Sequence, residues 1–280
     1  MSKSSLLNKV EKNFYQSIED SMILYCLSEK NEDIAMFQES FSKSLKKLRE
    51  NEENKTGREK VGYFPVAGDP IHWAHLLTAF KILADFSLDK VVLISAGYDP
   101  RKPKLVHPKF RFPMIEEAIK IFEGLFELSD ITLNEKFALE KGEDNIFNIL
   151  AKKKEPTDAF YIVGSDHYNW TVVGKDGVER ADTLKTLSDN MSRKDFNKEK
   201  HSITSVFIRR DDTQNKPSLK ELQPNLPSLN YFNIRFNVPD FAYSSTQIRD
   251  GFKVSDLDQS VVYVPACVYP FILENNLYKN

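Results

Sequence analysis

Two cysteines in 280 residues are too few to staple a fold, and Cys26 and Cys267 have neither a metal-ligand spacing nor a disulfide framework. That usage suits a reducing compartment, so a cytoplasmic location is expected. The N-terminus, MSKSSLLNKVEKNF, lacks the apolar core of an export signal. The longest apolar run, from Val261 to Leu273, is too short and too broken by proline to span a bilayer. Excess charge is also missing: 39 basic against 41 acidic side chains give a net charge of -2. No global field therefore draws the chain to nucleic acid or to an anionic membrane, and any basic site must be local. Internal repeats and low-complexity tracts are absent.

What is present suffices for a full core, with 41% hydrophobic and 29% charged residues. Leu7, Val10, Phe14, Ile18, Met22 and Tyr25 recur every three or four positions, as on an amphipathic helix. Ile34, Phe37, Phe41, Leu45 and Leu48 repeat the pattern behind Asn31 and Asp33, which suit a helix cap. RENEENKTGREK then reads as a solvated helix end or linker. Residues 1–58 are accordingly expected to form a helical N-terminal extension, ahead of a domain at 59–280.

From KVGYFPV onward short apolar strands alternate with helical stretches. DKVVLISAG, ITLNEK, AFYIVGSD, SITSVFIRR and NYFNIRFNV read as strands; FPMIEEAIKIFEGLF, NIFNILAKKK, STQIRDGF and ACVYPFILENNLY read as helices. Elements of these lengths in this order predict an α/β fold with a doubly wound parallel sheet. Polar insertions follow Trp170 and Arg210.

Ligands of open α/β sheets bind where strands end and helices begin. GDPIHWAH lies at such a point: a helix N-terminus attracts phosphate, and His72 and His75 share one face of its first turn. No third ligand stands at helical spacing beside them, so no metal site is expected there. In SSTQIRDG, the hydroxyls of Ser244, Ser245 and Thr246 open a helix whose first turns carry Arg249, a forked donor suited to phosphate; an ordinary helix cap is the competing reading. IVGSD ends a buried strand at Gly164, after which Asp166 could accept ribose hydroxyls.

Taken together and in order, these segments resemble the nucleotidylyltransferases of the HxGH type, most closely the bacterial nicotinate mononucleotide adenylyltransferases. The similarity runs from about Lys60 onward. DPIHWAH resembles the family's Asp-Pro-x-His-x-Gly-His signature, and YSSTQIRDG its Ile-Ser-Ser-Thr-x-x-Arg signature. SAGYDPRKPK with HPKFRFPMIEEAI resembles the lysine-bearing segment after the second strand and the Arg-x-x-Met helix. VVYVPACVYPFILENNLY resembles the closing segment, in which a strand leads through Pro-x-x-Val into a helix ending in Leu-Tyr.

The resemblance implies a Rossmann-like nucleotidylyltransferase fold and a cytoplasmic enzyme of NAD biosynthesis. It would move AMP from ATP to the 5'-phosphate of nicotinate mononucleotide, releasing pyrophosphate and using Mg2+ held mainly by substrate oxygens. It implies catalytic roles for His72, His75 and Arg249, and an ATP site of Gly68, Asp69, His72, His75, Gly164, Asp166, Ser244, Ser245, Thr246 and Arg249. Among substrate-binding residues, Lys102 and Arg111 would make phosphate contacts and Trp170 would stack on the acceptor's pyridine ring. For Lys102 and Arg111 a solvated surface charge is the competing reading, and for Trp170 a core aromatic. ATP and a pyridine mononucleotide are the expected partners, with nucleic acid and membrane excluded and a homo-oligomer left open.

The chain departs from the family at Pro65, Val66, Ala67 and Gly68, where Gly-Gly-x-Phe is usual, and at Ala74, which stands between the histidines in place of glycine. Pro65 offers no N–H to phosphate. A nucleotide-binding protein with little catalysis, its phosphate binding weakened by this altered turn, is one alternative; the other keeps the chemistry on nicotinamide mononucleotide or another phosphorylated acceptor, because the acceptor-binding loops are where the chain diverges.

Overall fold

The computed structural model describes residues 2–27, 31–51, 57–100, 103–164, 171–173, 177, 179–209, 229–235, 244–253 and 260–279. In chain order the elements are α1 (Lys3–Leu24), α2 (Glu32–Glu50), β1 (Glu59–Val66), α3 (Trp73–Asp85), β2 (Lys90–Ser95), α4 (Pro108–Ile119), β3 (Phe126–Ser129), α5 (Glu135–Ala138) and α6 (Gly142–Lys152). They continue with β4 (Thr157–Gly164), β5 (Thr171–Val173), β6 (Glu179–Ala181), α7 (Asp182–Asn190), β7 (His201–Arg209), β8 (Leu229–Arg235), α8 (Ser245–Lys253) and α9 (Val268–Glu274). The chain divides into two compact units, one of residues 1–53, 66–139 and 243–280, the other of residues 54–65 and 140–242.

In the first unit, β2 and β3 pair in parallel from Val91 opposite Phe126 to Ile94 opposite Ser129. The apolar stripes of α1 and α2 are buried at Leu7, Val10, Phe14 and Ile18 and at Ile34, Phe37, Phe41, Leu45 and Leu48. Asn31 caps α2 by accepting from the N–H groups of Asp33 and Ile34, and Asp33 sits in the first turn. The Phe14 and Phe41 rings stack with centroids 3.8 Å apart, and Phe41 stacks on Phe80 of α3 at 4.9 Å. Each such pair adds about 1 kcal/mol to its area burial. The first two helices thus share the core that holds α3.

In the second unit, β1, β4, β7 and β8 lie side by side and parallel, with Tyr63 opposite Tyr161, Thr157 opposite His201 and Ile203 opposite Leu229. β5 and β6 form a small antiparallel pair. Helices α6 and α7 are joined by hydrogen bonds from Thr183 Oγ1 to Glu143 Oε1 (2.6 Å) and from Asn190 Nδ2 to Asp144 Oδ1 (2.7 Å).

Two segments differ from the expected elements. ITLNEK is not a strand: Ile131–Leu133 is a 3-10 turn and Glu135–Ala138 a short helix, while β2 pairs with the earlier Phe126–Ser129. Gly124, at φ +86°, breaks the helical run sooner than its apolar spacing suggests, and Asn134 caps the short helix by accepting from the Lys136 N–H. Likewise Val261–Tyr263, aligned with a family strand, is a 3-10 turn.

Candidate active site

β1 ends at Val66, and beyond the turn that follows it His72 caps α3 in an extended conformation (φ −147°, ψ 168°). Between them Gly68 turns the chain at φ +63°, and a Cβ there would come within 2.5 Å of the Ile115 side chain. Of the residues departing from the family pattern, this glycine alone meets the need for a left-handed, close-packed backbone. The His72 carbonyl accepts from the N–H groups of His75 (3.0 Å) and Leu76 (3.3 Å). The two imidazoles lie against each other, with centroids 3.7 Å apart and planes 34° apart. Both are buried at the start of a 13-residue helix, where its positive end supports anionic charge.

Asp69 is 1% exposed and lies at the centre of a hydrogen-bonded cluster. Its Oδ1 accepts from the Tyr278 hydroxyl at 2.7 Å, and its Oδ2 from the Val106 N–H at 3.4 Å. Arg249 Nη1 donates to the Asp69 carbonyl at 2.5 Å and to Oδ2 at 3.4 Å, while Nη2 donates to Thr246 Oγ1 at 3.0 Å. Ser245 Oγ reaches the Pro70 carbonyl at 3.3 Å. Ser244 caps α8 reciprocally: its Oγ accepts from the Gln247 N–H, and Gln247 Oε1 accepts from the Ser244 N–H. The structure therefore joins the two signature segments, with Ser244 spent on the cap and Arg249 bridging across.

Burial first, and then the neighbouring Asp69 carboxylate, push the Tyr278 phenol well above its ordinary pKa, so its hydroxyl keeps its proton and donates. Nothing in the spacing of the sequence singled out Tyr278, although it ends the closing segment that resembles the family.

Arg111 is not the solvated surface charge of the competing reading. It is 0% exposed, and its five N–H donors meet the carbonyls of Val106 (2.5 Å), Ala67 (2.7 Å), Ala96 (2.7 Å) and Gly97 (2.9 Å) and Ser95 Oγ (3.0 Å). In this arrangement every donor is taken within the chain itself. Instead it pins the loop after β1 to the end of β2. A cavity of about 230 Å³ opens beside it, lined by Gly97, Tyr98, Asp99, Pro103 and Val106. Gly164 ends β4. Lys102, Asp166 and Trp170 lie outside the described residues.

Residues 67–251 match the family model described as cytidylyltransferase-like. The chain belongs to this family. It is 27% identical over 215 residues to the probable nicotinate-nucleotide adenylyltransferase of Clostridium botulinum (strain Alaska E43 / Type E3), covering 75% of this chain and 94% of that one. The corresponding protein of strain Eklund 17B / Type B is 27% identical over 214 residues, with the same coverage. Among solved structures, Plasmodium falciparum nicotinic acid mononucleotide adenylyltransferase complexed with APC matches with a TM-score of 0.54 at 16% identity, over 79% of this chain and 98% of that one. The same protein complexed with NaAD matches with a TM-score of 0.50. These likenesses show the Rossmann-like nucleotidylyltransferase fold, an α/β architecture with parallel strands, here preceded by N-terminal helices. Among the described residues no group of three or more His, Cys, Asp and Glu could hold a metal ion, and no helix is long and apolar enough to cross a membrane.

Proposed function

We propose that the chain is a nicotinate-nucleotide adenylyltransferase, carried by the domain at 59–280 behind the helices of 1–58. The 5'-phosphate of nicotinate mononucleotide attacks the α-phosphorus of ATP, and pyrophosphate leaves. The observation that carries the reading is the Arg249 bridge to Asp69, which brings the second signature segment to the loop that presents His72 and His75. The Clostridium relatives bear that activity in their names, and the Plasmodium structures carry APC or NaAD, which supports the same substrate class.

Such a transfer asks little covalent chemistry of the protein; it needs in-line positioning and neutralisation of phosphate charge. His72 and His75 are assigned to the ATP phosphates, with His75 nearer the α-phosphate. Ser245, Thr246 and Arg249 are assigned to the β- and γ-phosphates, and Asp166 to the adenosine ribose. Mg2+ fits this site as an ion carried on the nucleotide's phosphate oxygens, since the described residues offer no carboxylate cage. Bound that way, it would neutralise charge on the leaving pyrophosphate.

Pyrophosphate release by the purified protein with Mg-ATP, compared among nicotinate mononucleotide, nicotinamide mononucleotide and no acceptor, tests the reading. Release that depends on nicotinate mononucleotide is expected. Release with nicotinamide mononucleotide alone would move the assignment to that acceptor, and release with neither would overturn it.

A further inference from the structure

If Arg249 grips the ATP phosphates, as proposed above, then Asp69 competes with ATP for the same guanidinium. The carboxylate is buried, and Arg249 is its cationic hydrogen-bond partner. A carboxylate with no other strong donor would draw that guanidinium fully onto itself. The geometry stops short of that. Arg249 Nη1 meets the Asp69 carbonyl at 2.5 Å but Oδ2 only at 3.4 Å. Its Nε–H and one Nη2–H have no hydrogen-bond partner among the described residues.

The closest donor to the carboxylate is the Tyr278 hydroxyl, at 2.7 Å from Oδ1. The tyrosine is held for that contact: it is 8% exposed, and its backbone takes the left-handed conformation at φ +64°, uncommon for a bulky residue. Its ring stacks on Phe252 of α8 with centroids 6.1 Å apart and planes 18° apart. One side chain therefore touches both the helix that carries Arg249 and the carboxylate that competes for it.

We propose that Tyr278 is a positioning residue for ATP binding, whose hydroxyl occupies the Asp69 carboxylate and so leaves Arg249 leaning on main chain, with donors free for phosphate. The role belongs to ground-state binding. Its loss weakens ATP without slowing the bound complex.

The test uses the full chain. Tyr278→Phe keeps the ring and removes only the hydroxyl. Initial rates of pyrophosphate release against each substrate, calorimetric ATP binding and a thermal melt are compared with the parent. KM and Kd for ATP should rise about tenfold, while kcat and the acceptor KM stay within about twofold. Adding Asp69→Asn removes the competing charge and should return the ATP Kd to within about threefold of the parent. An unchanged ATP KM in a folded Tyr278→Phe overturns the proposal, as does a loss spread equally over kcat and both KM values, which marks a merely structural role. A double variant that binds ATP more weakly than Tyr278→Phe also overturns it. Should Tyr278→Phe fail to fold, Asp69→Asn alone decides: tighter ATP binding supports the proposal and weaker binding overturns it. A parent that neither binds ATP nor releases pyrophosphate with any mononucleotide removes the adenylyltransferase reading itself, and this role with it.

Discussion

Phe14 of α1 meets Trp73 of α3 edge to face, with ring centroids 5.4 Å apart and planes at 76°. Trp73 is 1% exposed and stands between His72 and His75 in the chain, so the first helix supports the back of the turn that presents both imidazoles. Phe14→Ala is expected to cost about 3–5 kcal/mol, read as a shift in the urea midpoint. Deleting the first fifty residues would uncover Trp73, Phe80 and Phe122 together, and the truncated chain is expected to aggregate rather than fold as a smaller enzyme. A soluble, fully active truncation would show these helices to be dispensable.

Arg111→Lys should fail despite keeping the charge. Lysine has three donors on a flexible stem and cannot meet five acceptors fixed around a planar fork. Several buried acceptors would lose their partners, at about 1–3 kcal/mol each. Equilibrium unfolding should show the loss first, before any assay of turnover.

His75→Ala is expected to lower kcat by about 100-fold or more in a chain that still folds and melts cooperatively, if the imidazole acts on the charge gained at the α-phosphate. Turnover equal to the parent would remove His75 from the chemistry.

His201, at the start of β7, is 2% exposed, and burial holds its pKa below the ordinary histidine value, with Lys200, Lys153 and Arg58 pushing the same way. The folded state therefore binds its proton less readily than the unfolded chain. Its contribution to stability is complete above the unfolded value of about 6.5 and is lost as pH falls through the lowered native value. Urea midpoints measured at stepped pH below neutrality should fall more steeply in the parent than in His201→Gln. Parallel slopes would show that another group governs the acid limb.

The strand-helix alternation was legible because buried parallel strands leave near-continuous apolar runs, as at Val91–Ile94 and Ala159–Val163, which local pattern alone can detect. ITLNEK misled for a local reason: Ile131 and Thr132 favour a strand, but the flanking Asp130 and Asn134 close turns around them. At the site, residue type and helix position brought out His72, His75 and the Ser-Ser-Thr-x-x-Arg run. Arg111, Asp69 and Tyr278 were legible only as matches to a pattern. What they do depends on which carbonyls and carboxylates surround them, and those partners come from distant segments: Tyr278 lies 209 residues from Asp69.

The same separation has a kinetic consequence. Arg249 and Asp69 are 180 positions apart, whereas the stack that joins α1, α2 and α3 closes over far shorter loops. On dilution from denaturant, helix content and tryptophan burial can return while the two signature segments are still apart. Nucleotide affinity would then be the last property to recover, and its lag behind the circular dichroism signal would time the closure of that loop.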